Sequence, residues 1–530
     1  MPSSDHSHNE HLAPAELTLR PHQVEALDAL AGSRARGEHK ALVVMAAGLG
    51  KTVLAAFDLV RLEAELGQPL RLLYVSERNA ILDQAQRTFR RVLGPDRSYG
   101  LFHGQCHESE AELLFANFAS LHSELGRFRP DDFSMIVVDE AHHTAAPTYA
   151  AVLDFFRPKW RLGLTATPFR GDGRDVPALY DDEVPACLPL ERALATALLC
   201  PIDYRVFADL EPPQLERTLG LAARGHRARP WAERNNRQIV ETVMTEAVGP
   251  AGDRRVVVFC ASLKQMRLFA ELFPSCRTIC GSDGPRRQAE VLDCFRAGEF
   301  EVLLSRDVVN EGVDLPEAST LVFLRNTASP VVFLQQLGRG LRRHPGKNRV
   351  KVLDFVDNSE RIEFVYAFYS RLESEIERRR QEGQPAPEAS LELDQQSRDV
   401  IRALIAKKRR AGLVVDLAGL QGALDYAVGI KTLRRLIAEG RLVPDFLDPD
   451  GRDPLFELST AQSFLRRAFA PSDPPGLVSD REVARITGIP LRSIQRRVER
   501  DQLTAAWLYH AHASYTELFF SASDLKLLSQ

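Results

Sequence analysis

Two clusters in this 530-residue chain have the residue types and spacing for chemistry: Gly48-Leu49-Gly50-Lys51-Thr52 and Asp139-Glu140-Ala141-His142. In the first, glycines let backbone N–H groups approach phosphate oxygens and a helix N-terminus behind them favours negative charge. Lys51 then reaches the β- and γ-phosphates, and the Thr52 hydroxyl is placed to ligate Mg²⁺. Met45 stands where the commonest phosphate-loop pattern has its first Gly, so the loop alone does not settle the reading. The second cluster supplies two adjacent carboxylates. Asp139 suits holding Mg²⁺, and Glu140 suits orienting an attacking water.

Such residues need strands that end beside one another. Short apolar, β-branched runs at Ala41–Ala46, Leu70–Ser76, Ser134–Asp139 and Arg161–Thr165 predict buried parallel strands alternating with amphipathic helices. The rhythm resumes at Arg254–Cys260, Thr278–Cys280, Glu301–Ser305, Ser319–Leu324 and Val350–Asp354, predicting a second α/β lobe. The expected domains are a disordered tail at 1–16, a first lobe at 17–208, a connector at 209–236, a second lobe at 237–382 and a linker with a helix at 383–411. Two small repeats follow, at 412–470 and 471–530.

From residue 17 to about 358 the ordered motifs resemble those of superfamily-two helicases of the DEAD/DEAH-box type, whose two lobes are RecA-like. The wording of Leu334–Arg343 and Val350–Val356 is most similar to the branch that holds type III restriction subunits and XPB-like helicases. The resemblance implies that ATP binds between the lobes and that Gln23 reads adenine. It implies that His142, Thr165 and Thr167 couple hydrolysis to lobe movement, and that Gly312 and Asp314 touch ribose or link nucleotide to nucleic acid. In Gln335-Gln336-Leu337-Gly338-Arg339-Gly340-Leu341-Arg342, the resemblance makes Gln335, Arg339 and Arg342 catalytic. The two arginines, three apart on a helix, share one face and suit a γ-phosphate. Ser76–Gln84, Phe118–Ser120 and Cys260–Lys264 are the segments expected to line the track, mostly through its phosphates.

Residues 430–442 and 491–503 match without a gap at an offset of 61. The second copy has helix-turn-helix spacing through Ala484, Gly488 and Ile494, and it resembles excisionase and MerR winged helices. It would present Arg492, Gln495, Arg496 and Arg500 to DNA, with Leu503–Leu508 and Tyr515–Phe520 as a hairpin wing. Arg434 and Arg435 fall at the equivalent helix of the first copy.

The net charge of −4 neither requires nor excludes a nucleic-acid partner, because binding depends on a local basic surface. Seven cysteines without paired Cys-x-x-Cys spacing predict reduced thiols. Apolar runs are too short to cross a membrane, and the N-terminal stretch lacks the pattern of a secretory signal, so a cytoplasmic protein is expected. The expected function is an ATP-dependent DNA helicase or translocase using ATP and Mg²⁺, in defence, restriction or repair, with nuclease or other subunits as candidate partners. RNA as the track, and a duplex translocase or ATPase switch that does not unwind, are the alternatives.

Overall fold

The computed structural model describes residues 18–104, 106–141, 147–166, 176–181, 183–208, 236–247, 255–273, 275–306, 308, 315–324, 330–356, 358–424, 430–438, 442–466, 477–500, 502–503, 505, 507–512 and 515–521. The apolar runs form strands because parallel strands buried on both faces need side chains without polar groups. The first sheet contains β1 (Lys40–Met45), β2 (Leu72–Ser76), β3 (Tyr99–His103), β4 (Cys106–His107), β5 (Leu113–Asn117), β6 (Met135–Asp139), β7 (Trp160–Thr165) and β8 (Ala186–Leu188). Their order is β4-β3-β5-β2-β6-β7-β1-β8. Every pairing is parallel except that of β3 with β4. Leu42, Val44, Leu73, Val75, Ile136 and Val138 build the core on one face.

The second sheet contains β9 (Ile202–Ala208), β10 (Val256–Phe259), β11 (Cys276–Cys280), β12 (Val302–Arg306), β13 (Thr320–Phe323), β14 (Val350–Val356) and β15 (Ser390–Leu393), ordered β11-β12-β10-β13-β14-β9-β15. All its pairings are parallel. These are two RecA-like lobes. The expected boundary at 208 is corrected here: β9 pairs with β14 from Ile202↔Val350 to Ala208↔Val356, so it belongs to the second sheet. The segment expected as a linker contributes as well. β15 adds an edge beside β9, and Asp394 anchors it by accepting from the Ala208 backbone N–H at 2.8 Å. The connector at 209–235 lies outside the described residues.

Contacts divide the chain into two compact units. Residues 330–342 belong to the first, although they precede β14 of the second sheet in sequence.

The C-terminal region repeats one topology. In the first copy β16 (Val414–Val415) precedes helices Leu417–Gly422 and Ile430–Ala438, then β17 (Phe446–Leu447) and β18 (Pro454–Glu457). The second copy runs β19 (Leu477–Ser479), helices Asp480–Thr487 and Leu491–Glu499, then β20 (Trp507–His512) and β21 (Tyr515–Ser521). In both, the last strand lies between the other two. The copies are not separate beads. Leu433 and Leu436 share one buried cluster with Ile494, Val498, Leu518 and Phe520, and the Ala505 N–H donates to the buried Thr432 hydroxyl at 3.2 Å. No helix among the described residues is long and apolar enough to cross a membrane.

Candidate nucleotide site

The phosphate loop leaves β1 at Met45 and enters helix Lys51–Leu66. Gly48 and Gly50 have φ of 88° and 87°, values that glycine adopts at no steric cost. Lys51 Nζ donates to the Met45 carbonyl at 3.0 Å, holding the ammonium across the mouth of the loop. Two side chains from helix Pro21–Ala35 brace the loop from below. His22 Nε2 lies 3.1 Å from the Leu49 carbonyl, and Gln23 Nε2 donates to the Leu49 and Gly50 carbonyls at 3.2 and 3.3 Å. The Gln23 carbonyl oxygen accepts from the Arg20 N–H at 2.9 Å. Gln23, expected at adenine, is thus placed against the loop itself. A Cβ on Gly50 would come within 2.5 Å of its amide nitrogen.

β6 ends at Asp139 with its carboxylate buried. The Tyr74 hydroxyl, on neighbouring β2, donates to Asp139 Oδ2 at 2.6 Å and is also hydrogen-bonded to Thr52. One buried phenol therefore links the two residues expected to hold Mg²⁺. Burial, with the Glu140 charge beside it, pushes the Asp139 carboxyl up to about 6, while Lys51, Tyr74 and the Glu140 N–H act in the opposite direction. Glu140 has φ of 51°, a left-handed conformation costing about 1–3 kcal/mol for a residue with a Cβ, and such strain collects at functional sites. Its N–H donates to Asp139 Oδ1 at 3.0 Å. Thr165, fully buried at the end of β7, is in register with Val44 of β1, so it ends beside the loop.

Helix Pro330–Gly340 brings the second motif to this place. A Cβ on Gly338 would lie 2.9 Å from the Ala47 Cβ, so only glycine allows this helix so near the loop. Gln335 is buried and Arg339 is half-buried. The Arg342 side chain crosses the loop, with Cγ and Nε 2.9 and 3.0 Å from where a Gly48 Cβ would stand. Lys51, Thr52, Asp139, Glu140, Thr165 and Arg342 are thus gathered around one loop. His142, Thr167, Gly312 and Asp314 lie outside the described residues.

Residues 16–170 match the family described as "Type III restriction enzyme, res subunit", and residues 238–344 match "Helicase conserved C-terminal domain". One of these two family models thus falls on each lobe. Among relatives, "Putative mitochondrial ATP-dependent helicase irc3" of Schizosaccharomyces pombe is 29% identical over 65% of this chain and 58% of its own length. The DNA 3'-5' translocase XPB2 of Sulfurisphaera tokodaii is 24% identical over 62% of this chain and 79% of its own. The chain spans little more than half the length of irc3 and of a Saccharomyces cerevisiae relative, IRC3. Among solved structures, the ATP-dependent Type ISP restriction-modification enzyme LlaBIII bound to DNA shares the fold with a TM-score of 0.53 at 16% identity, covering 74% of this chain and 33% of that one.

Sequence reasoning about the nucleotide site missed Tyr74, His22 and the packing role of Gly338. The signal for Tyr74 was a polar group inside the apolar run Leu-Leu-Tyr-Val-Ser. Outside the nucleotide site, Cys260 and Ser76 are buried, which removes them from any track-lining surface. In the last helix pair, Arg492, Arg496 and Arg500 are exposed, whereas Gln495 donates to the buried Asp480 at 3.2 Å and is held against the preceding helix.

Proposed function

We propose that this chain is an ATP-hydrolysing motor on DNA, a helicase or translocase. The observation that carries this reading is Arg342 lying across the phosphate loop while Tyr74 joins Thr52 to Asp139 beneath it. Lys51 exchanges the Met45 carbonyl for the β- and γ-phosphates. Thr52 and Asp139 offer the hard oxygen donors that Mg²⁺ prefers, and the bound ion would neutralise phosphate charge. Glu140 orients a water and accepts its proton as the water oxygen bonds to the γ-phosphorus and the bond to the bridging oxygen breaks. Arg339 and Arg342 stabilise the charge that develops on the transferring group. His142, Thr165, Thr167, Gly312 and Asp314 couple this step to movement on the track, and Gln335 belongs with the arginines.

The DNA assignment is supported by relatives and a fold neighbour whose names specify action on DNA or a bound DNA. It is also supported by the exposed Arg492 and Arg496 on the second helix of a strand–helix–helix–hairpin unit, read as a winged helix. Restriction and XPB-like relatives make defence or repair, with nuclease partners, the fitting context. The test is ATPase turnover with single-stranded DNA, duplex, forked DNA and RNA at one salt concentration. We expect DNA to stimulate turnover above RNA. Equal stimulation by matched RNA would replace the track, and none by any nucleic acid would overturn the motor.

A further inference from the structure

The helix Pro147–Phe155 follows the Asp139–His142 cluster closely in sequence, and one of its side chains touches both first-lobe segments expected at the track. The Tyr149 ring stacks on Phe118, with centroids 4.0 Å apart and planes 25° from parallel. Its hydroxyl donates to the Glu77 carboxylate. Asn117, which caps the short helix Phe118–Ser123, closes the circle: its amide donates to the Glu77 carbonyl and, at 3.3 Å, to Asn79 Oδ1, while its own oxygen accepts from the Ala119 N–H. The ends of β2 and β5 are thereby tied to one phenol.

The same face of this helix, three and four residues on, joins the core beside the end of β6. Val152 and Leu153 share a buried cluster with Phe118 and with Ala141, the residue after Glu140, and Tyr149 packs against that cluster. A displacement of Glu77 or Phe118 therefore reaches the backbone at Glu140 through contiguous packed groups, without passing through solvent. Glu140, one of four non-glycine residues with a left-handed φ among the described residues, is itself strained, so a small backbone shift changes where its carboxylate points.

We infer that Tyr149 is the positioning residue that passes occupancy of the nucleic-acid track to Glu140, through its stack on Phe118 and its hydrogen bond to Glu77. This rests on the motor reading above. Tyr149 touches the expected track segments and no phosphate-loop residue in the contacts described, so its removal leaves the described contacts of the phosphate loop in place and acts on how the track reaches it.

The experiment compares steady-state ATPase of the full chain with and without saturating DNA for wild type, Tyr149→Phe, Glu77→Ala and Glu77→Gln. Tyr149→Phe keeps the ring and loses the hydroxyl. It should lower the ratio of DNA-stimulated to unstimulated turnover by about 5-fold or more, with the KM for ATP within about 2-fold of wild type. Glu77→Ala should reproduce that fall, and combining the two should add little, because both remove one bond. Glu77→Gln keeps an acceptor and should restore most of the ratio. A Tyr149→Phe protein with an unchanged ratio overturns the relay. So does one whose two turnovers fall together with its Tm, as a purely structural role requires. So does one whose only change is a higher half-saturating DNA concentration, the mark of a track contact. A wild-type protein that no nucleic acid stimulates overturns the motor reading instead.

Discussion

Two buried tyrosine–aspartate pairs, one in each sheet, share a local geometry although they stand on different strands of the common strand order. Tyr74 on β2 is in register with Val137 of β6 and donates to Asp139, two residues further on, at 2.6 Å. Tyr204 on β9 is in register with Val352 of β14 and donates to Asp354, again two residues further on, at 2.5 Å. The difference is the cation. Asp354 receives Arg361 Nε at 3.0 Å from helix Ser359–Gln381, with the guanidinium 5.6 Å from the Phe323 ring centroid. Asp139 has no guanidinium partner among the contacts described; around it are the Lys51 ammonium, which donates to the Met45 carbonyl, the second carboxylate of Glu140, and the Tyr74 hydroxyl, itself hydrogen-bonded to Thr52. One geometry thus serves twice: a permanent cation makes the pair structural, and the lack of one leaves a carboxylate ready for an exchangeable ion.

The comparison breaks first on stability. Asp354→Ala strips the buried Arg361 of its carboxylate and should destabilise the second lobe by about 3–5 kcal/mol in urea unfolding, since uncompensated buried charge is costly. A loss below about 1 kcal/mol would remove the structural reading of that pair. Asp139→Asn should do the reverse. It keeps an acceptor for Tyr74 and removes a buried charge, so stability is unchanged or higher, while ATP turnover falls about 10²–10³-fold through lost charge stabilisation at the phosphate. Turnover of the Asn protein near wild type would show that another residue holds the ion.

Phosphate chemistry made one half of this comparison legible. Gly48 to Thr52 and Asp139-Glu140 could be read from sequence because a cradle of N–H groups, an ammonium and paired carboxylates need fixed residues at fixed spacing. The buried parallel strands were legible as apolar runs for an equally local reason. What required the fold was everything set by register between distant segments. Tyr74 meets Asp139 only because β2 and β6 are neighbours. β9 looks like the end of the first lobe by sequence proximity, yet its seven-residue ladder with β14 puts it in the second sheet. Helical spacing turned Gln495 outward with the arginines, but Asp480 captures it from the preceding helix. The offset of 61 revealed two copies and could not reveal that Leu433 and Ile494 lie in one core.

The next effect is in pH. Asp139 rises from the ordinary carboxylate value of 3.8 to about 6 in the fold, so the folded protein binds this proton more tightly than the unfolded chain. The associated stability is fully present below about pH 4 and is lost as pH rises through about 6; the shift bounds it at about 3 kcal/mol. Asp58 and Asp445 are also raised by burial, so the informative quantity is the difference between wild type and Asp139→Asn. In metal-free buffer that difference should shrink as pH falls from 7 to 5. A difference independent of pH would mean that Asp139 already carries its charge comfortably without an ion.

The smallest expected effects separate the two tyrosines themselves. Tyr74→Phe and Tyr204→Phe each delete one buried hydrogen bond to a carboxylate and leave the ring in its packing, so each should cost about 1.5–3 kcal/mol or less in unfolding. Stability alone will not tell them apart. The Tyr74 hydroxyl also fixes Thr52 against Asp139, so its loss loosens both oxygen donors and should raise the Mg²⁺ concentration needed for half-maximal turnover by about 10-fold or more, the range seen when partners that orient metal ligands are removed. Tyr204 orients a carboxylate already held by Arg361, and Tyr204→Phe should leave that Mg²⁺ dependence within about 2-fold of wild type. If the two variants shift the Mg²⁺ requirement equally, the shared geometry carries no division between a working pair and a structural one, and the contrast drawn from Arg361 fails with it.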